Sequence, residues 1–365
     1  RYSAVRRAVS TWIGIFDEKS MERITEKLLR LMGQCLRDED FCREQIASND
    51  SIAISCGLWA KGFYDAEKGI EAVLELIRNG TKNQKMTASY FNRSLQYSPL
   101  KRKAAKEAIM SCPEDLELMA CFLPCFMDDG YECLSELIGT GGWETFDELR
   151  RGKARKPGLL PVTRVFEDEA EARKVYGLFK DTLNRIPRKG LDLNPCIFLW
   201  YRVTMTPSDI ALRMCVIAWM LQDEEYLDEA ARLIPLLGQG SLYGSIRALA
   251  ARVLLYRPTT AVRKKALFEL LHNAEEATEK SAYILADDME LTVEDYLEIE
   301  KNLKYKKGRA GVLALLRKQK PEAVRGSMKR LLETDSEECR MGALDLALWV
   351  KKEHPETFAA VRDLL

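Results

Sequence analysis

Four times in the C-terminal half of the chain, an arginine is followed at helical spacing by small or apolar residues. Arg247 precedes Ala250, Ala251 and Leu254; Arg263 precedes Ala266, Leu267 and Leu270; Arg309 precedes Val312, Leu313 and Leu316; Arg340 precedes Ala343, Leu344 and Leu348. Offsets of three, four and seven or eight put these side chains on one face of an α-helix. The small residues let a neighbouring helix approach, and the later leucines fill the seam between layers. Arg102 and Arg213 start weaker copies of the frame. Arg309 and Arg340 stand 31 residues apart with another helix between them, so the repeating unit is a pair of helices. Such a pair cannot bury its stripe alone. The chain is therefore expected to be all-α, an α-α superhelix (a solenoid of stacked pairs) with no significant sheet.

Helix boundaries follow from capping residues, prolines and glycines. Asp50 and Asp65 are placed to cap the helices after them, and Gly80 to end the second of these with a left-handed residue. Ser98-Pro99, Asn194-Pro195 and Thr206-Pro207 each read as an N-cap followed by a first-turn proline. Pro124, inside PEDLELMACFLPCFM, is expected to kink or split that helix. The segment CIFLWYRVTM, Cys196 to Met205, is rich in strand-favouring residues, but Pro195 before it and the Thr206–Asp209 capping box after it favour a short buried helix. One composition shift interrupts the pattern at 139–161, where GTGG, RRGKARK and three loop formers follow one another. The expected organisation is irregular helical repeats over 1–138, a linker or loop excursion over 139–161, and regular repeats over 162–365.

The 365 residues are 47% apolar and 31% charged, enough for a core and a solvated surface. Lys plus Arg equal Asp plus Glu at 56 each, so no global field gathers polyanions. Ten cysteines without regular spacing read as small buried hydrophobes in a reducing compartment. The longest apolar run, Met214 to Leu221, falls far short of the roughly 20 residues of a membrane helix. A cytoplasmic location follows as an expectation. Opening at Arg1 directly in a helical pattern, the chain is expected to be a piece of a longer polypeptide.

The stretch from Ser245 to Leu365 resembles the HEAT family of helical repeats: a helix, a turn carrying an acid such as Asp335-Ser336-Glu337, and a second helix opening with an arginine and continuing ALDLAL. A proline consistently placed in the first helix is missing, which leaves armadillo-like stacking open. The C-terminal third also resembles the helical-repeat regions of large bacterial proteins similar to molybdate-metabolism regulators. That second resemblance implies no residue roles.

The chemistry written in the chain is sparse. Of the two histidines, His272 forms half of a di-iron pattern with Glu269, while the residue three before His354 is Lys351. Cys112, Cys121, Cys125 and Cys133 cluster without the close Cys-x-x-Cys pairs of a zinc site and read as buried thiols. Gly238-Gln-Gly240 follows a helix rather than a strand, as a helix–helix turn would and a nucleotide loop would not. The acidic residues Asp287, Asp288, Glu290, Glu294, Asp295, Glu298 and Glu300 lack the alternating ligands of a calcium loop and read as a solvated face with a capping turn. The most tempting feature is the basic stretch Arg150, Arg151, Lys153, Arg155 and Lys156, whose five charges can grip phosphates or an acidic partner.

No catalytic set and no cofactor is expected. The pattern points to a non-catalytic helical-repeat scaffold that binds a protein partner or another domain of a larger polypeptide. Two alternatives stay open: nucleic-acid binding in the manner of the DNA alkylation repeat proteins, and a helical support for an enzyme whose catalytic part lies outside this chain. No membrane partner is expected.

Overall fold

The computed structural model describes residues 5–6, 9–10, 16–94, 99–127, 130–137, 153–193, 203–238 and 246–365. They form an all-α fold that falls into two compact units, Arg1–Asp129 with Gly177–Ile210 and Gly130–Tyr176 with Ala211–Leu365.

In the first unit, helices α1 (Glu18–Arg37), α2 (Glu39–Ala47), α3 (Ser51–Gly62), α4 (Ala66–Asn79), α5 (Lys82–Ser94), α6 (Pro99–Ser111) and α7 (Leu116–Phe126) follow one another across short turns. Aspartate caps start most of them. Asp50 accepts from the Ile52 and Ala53 amides at 2.8 and 3.0 Å, and Asp115 from Glu117 and Leu118 at 3.0 Å each. Besides chain neighbours, most of these helices meet the next but one: α1 packs on α3, α3 on α5, α5 on α7, and α4 on α6. Those contacts bury Ile54, Leu58, Val73, Ile77 and Phe122. Side chains tie each turn to the turn one pair earlier. Gln84 donates to the Ala47 and Ser48 carbonyls at 2.9 Å, and Asn83 to the Asn49 carbonyl at 2.8 Å.

Helix α8 (Gly130–Leu137) and the extended segment 153–161 precede α9 (Glu169–Arg185). A two-stranded antiparallel pair then packs on α7: β1 (Leu191–Leu193) with β2 (Val203–Met205), in the register Leu191 to Met205. The helix expected over 196–205 is thus corrected at its end. Val203–Met205 extends because β1 offers it hydrogen bonds and α7 covers Met205, and residues 196–202 lie outside the described residues. Two further expectations are corrected in this unit. Gly80 has φ −74°, an ordinary extended value; a β-carbon there would collide with the Leu76 carbonyl oxygen, so close approach rather than handedness requires glycine. Helix α7 also runs through Pro124 to Phe126, so the split expected there does not occur.

The second unit continues the same construction through α10 (Pro207–Leu221), α11 (Glu224–Leu233), α12 (Ile246–Leu254), α13 (Ala261–Glu269), α14 (Glu276–Asp287), α15 (Val293–Glu300), α16 (Arg309–Leu316), α17 (Pro321–Leu332), α18 (Glu337–Glu353) and α19 (Pro355–Arg362). Thr206 and Asp209 form the expected capping box at the start of α10, with bonds of 2.7 and 3.3 Å. Two layers are plain from the packing. Helices α11, α13, α15, α17 and α19 touch in succession on one side, and α12, α14, α16 and α18 on the other. Such alternation is the α-α superhelix in its simplest form.

The repeated arginines tie each pair to an adjacent one. Arg247 donates to the Pro235 and Leu237 carbonyls at 3.1 and 2.6 Å. Arg263 reaches back to Asp228 at 2.9 Å and Glu224 at 3.0 Å, and Arg309 reaches forward to the Glu338 carbonyl at 2.7 Å and to Asp345 at 2.9 Å. Gly308 sets the entry of α16. Its φ of +76° is left-handed, and a β-carbon would strike the Leu271 carbonyl. Gly308→Ala is expected to destabilise this unit by roughly 2–4 kcal/mol, read as a lower urea midpoint by circular dichroism.

Candidate functional site

Successive helices of the α11–α19 layer are joined by ion pairs across their gaps. Lys264 on α13 meets Asp295 on α15 at 2.8 Å, and Glu300 at the end of α15 receives both ends of the Arg330 guanidinium from α17, at 3.0 and 2.7 Å. Asp295 and Glu300 are each 5% exposed. Burying a carboxylate is costly unless a cation and hydrogen bonds accompany it, and both acids have them. The bond from Glu300 holds the Arg330 guanidinium above its ordinary range.

Those pairs lie along an open groove of about 840 Å³ crossing α13, α15 and α17. Its apolar floor includes Phe268, Leu331 and Cys339, all buried. Its rim carries exposed charges of both signs: Lys265 and Glu294, with Glu298 and Lys301 paired to each other. The arrangement offers an apolar strip between alternating charges, which suits an extended or helical peptide segment. The lining sets four carboxylates, at Glu294, Asp295, Glu298 and Glu300, against four cations, at Lys264, Lys265, Lys301 and Arg330, so it has no excess of positive charge to gather a phosphate chain.

The acidic run read as a solvated face is therefore corrected in part. Asp287 pairs with Lys318 at 2.8 Å and Asp288 with Arg257 at 3.1 Å, and with Asp295 and Glu300 these acids form one side of a ladder between repeats. Each partner stands 30 or 31 residues away. Opposite charges one repeat length apart were the signal in the sequence, visible only once that length is used as an offset.

Of the basic stretch, Arg150 and Arg151 lie outside the described residues. Lys153, Arg155 and Lys156 are exposed on the extended segment 153–161. Its backbone is fastened at several points. Arg252 donates to the Lys153 carbonyl at 3.1 Å, Trp219 to the Gly158 carbonyl at 3.0 Å, and the Gly158 amide to the Leu137 carbonyl at 2.6 Å. Burial, with the like charge of Arg155, draws the Arg252 guanidinium down to about 10. Sequence reasoning did not single out Arg252, because an arginine in an alanine-rich helix gives no sign of what it will lie beneath.

The remaining candidates are settled in place. His272 bonds to Asn302 at 2.8 Å and stacks on Tyr305 with ring centroids 3.7 Å apart, while Glu269 lies exposed beside Lys265. His354 lies edge-on to Trp349 and 3.7 Å from Glu356. Cys121 and Cys125 are buried in α7, and Cys112 and Cys133 are half-buried. Burial pushes the Cys35 thiol up to about 11 and those of Cys56 and Cys215 to about 12. Among the described residues, no three His, Cys, Asp or Glu side chains gather as a metal site would require. Gly238 is left-handed at φ +77° after the α11 segment, a helix–helix turn, and 239–245 lie outside the described residues. No helix among the described residues is long and apolar enough to cross a membrane.

All of this architecture falls within one family: residues 1–365 match the family described as a family of unknown function (DUF5724). The chain belongs to that family. No curated protein and no solved structure matches it.

Replacing Arg330 by methionine leaves Glu300 buried without its cation, so R330M is expected to cost roughly 2–4 kcal/mol in urea unfolding, and the E300M/R330M double variant to regain most of it. At pH 8, iodoacetamide is expected to alkylate Cys112 ahead of Cys56 and Cys215, followed by mass spectrometry of the native chain.

Proposed function

We propose that the chain is a non-catalytic helical-repeat scaffold of the HEAT-like kind, and that it holds a segment of a protein partner, or of another domain of a larger polypeptide, in the groove across α13, α15 and α17. The observation that carries this reading is the groove's composition: a buried apolar floor between rims of mixed charge, built on three successive helices of one layer. Stacked pairs hold such a surface rigid, so a bound segment loses freedom while the protein does not. The internally paired acids of the floor leave Lys265 and Glu294 as the charges best placed to choose among partners. The fastened basic segment with Lys153, Arg155 and Lys156 is a second surface that suits an acidic stretch of the same partner.

Photo-crosslinking residues placed at Lys265 and Lys301 are expected to capture the same partner peptide, while one placed at Lys27, on α1, captures none. Reversing both rim charges (K265E/K301E) is expected to weaken that capture roughly three- to tenfold. Salt-sensitive micromolar binding of duplex DNA, measured at low and at moderate salt, would overturn the reading in favour of a nucleic-acid role.

A further inference from the structure

The Arg340 frame differs from its three counterparts in what covers it. The positions four and seven residues after Arg247, Arg263 and Arg309 are Ala251 and Leu254, Leu267 and Leu270, and Leu313 and Leu316, and all six are buried by neighbouring helices. In α18 the position seven after Arg340, Ala347, is buried as well, but the position four after it, Leu344, is 40% exposed, and Met341 and Leu348 on the same face as Leu344 are 47% and 64% exposed. Helix α18 packs on α16, α17 and α19 through another face, which buries Gly342, Ala343, Leu346, Ala347 and Val350. What remains outward is a stacking surface without a neighbour among the described residues. Contiguous apolar side chains of this size on a helix face mark a place of association.

The stripe is also symmetric. Glu337, Met341, Leu344, Leu348 and Lys352 follow in steps of four, three, four and four, so they share one helical face. Met341 and Leu348 are equidistant from the midpoint between Leu344 and Asp345, and so are Glu337 and Lys352. We propose that a second copy of this chain docks on this face, the two α18 helices packing antiparallel about a two-fold axis through that midpoint. Met341 then meets Leu348 of the second copy, the two Leu344 side chains meet near the axis, and Glu337 faces Lys352 of the second copy at both ends. A parallel pairing would set like charges against each other at both ends, which the antiparallel one avoids. Antiparallel helices also bring opposite ends of their dipoles together. Lys352 lies 3.2 Å from the adjacent Glu353, an exposed pairing that a second carboxylate can join. One helix-on-helix contact buries less than a standard interface, so the dissociation constant is expected to be on the order of 10–100 μM.

Sedimentation equilibrium of the chain, at concentrations spanning that constant, tests the proposal. The expected result is a reversible monomer–dimer equilibrium that L348K abolishes. E337K and K352E are each expected to weaken it about fivefold, and the E337K/K352E double variant to bring it back to within about twofold of the starting chain. All substituted side chains are exposed, and circular dichroism checks that each variant keeps its helix content. A monomer at every concentration would overturn the proposal and assign the face to another segment or another partner. A dimer that survives L348K, or a double variant no better than the singles, would overturn it as well.

Discussion

From α13 onward, each helix pair in the second unit is held chiefly by its neighbours in the stack. Most backbone hydrogen bonds are used up within helices, so every joint between pairs needs a side chain on at least one side. Apolar stripes supply most of the attraction there, but a stripe tolerates sliding. Polar links remove that freedom. Arg257 to Asp288, Lys264 to Asp295, Lys318 to Asp287 and Arg330 to Glu300 each span 30 or 31 residues, and His272 to Asn302 spans 30. The exposed members of this series add little stability. Asp295 and Glu300 differ, because a shift that parted either from its cation would strand a buried charge. Their effect is to specify one alignment of α13, α15 and α17 over others of similar apolar contact.

The same side chains line the groove, which couples recognition to stacking. A ligand that competed for Lys264 or Arg330 would also loosen the joints between helices. Selectivity therefore falls to the rim, where Lys265 and Glu294 stand exposed, while the floor keeps its shape. The basic segment is built on a different principle. Its backbone is fastened by Arg252 and Trp219, so Lys153, Arg155 and Lys156 are carried by a fixed strap rather than by a loose arm.

Much of the fold was legible in the sequence because it is local. The caps at Asp50, Asp65 and Thr206 and the arginine frames depend on spacings of a few residues, and the structure places each helix accordingly. Features set by distant neighbours were less legible. Val203–Met205 became a strand because β1 lay alongside, and Gly80 was needed for clearance from Leu76 rather than for a left-handed turn. The acidic run between Asp287 and Glu300 looked solvated because its cations lie a whole repeat away in the chain. Arg340 opens the same kind of frame as its counterparts, yet sequence alone could not report that Leu344 and Leu348 have no neighbour covering them among the described residues. Half of the candidate site was hidden for the same reason, since the groove exists only between helices that are not adjacent in sequence.

The ladder has a consequence for how such a chain can change length. Because every link joins residues about one repeat apart, a whole helix pair inserted between two others leaves the older pairs able to bond to the newcomer in their accustomed geometry. Deleting a single residue inside α14 would instead rotate everything after it by about 100° relative to α13, and Lys264 and Asp295 would face different directions. Growth and loss in this architecture are thus quantised: whole pairs are cheap units of change, and single residues within helices are expensive ones.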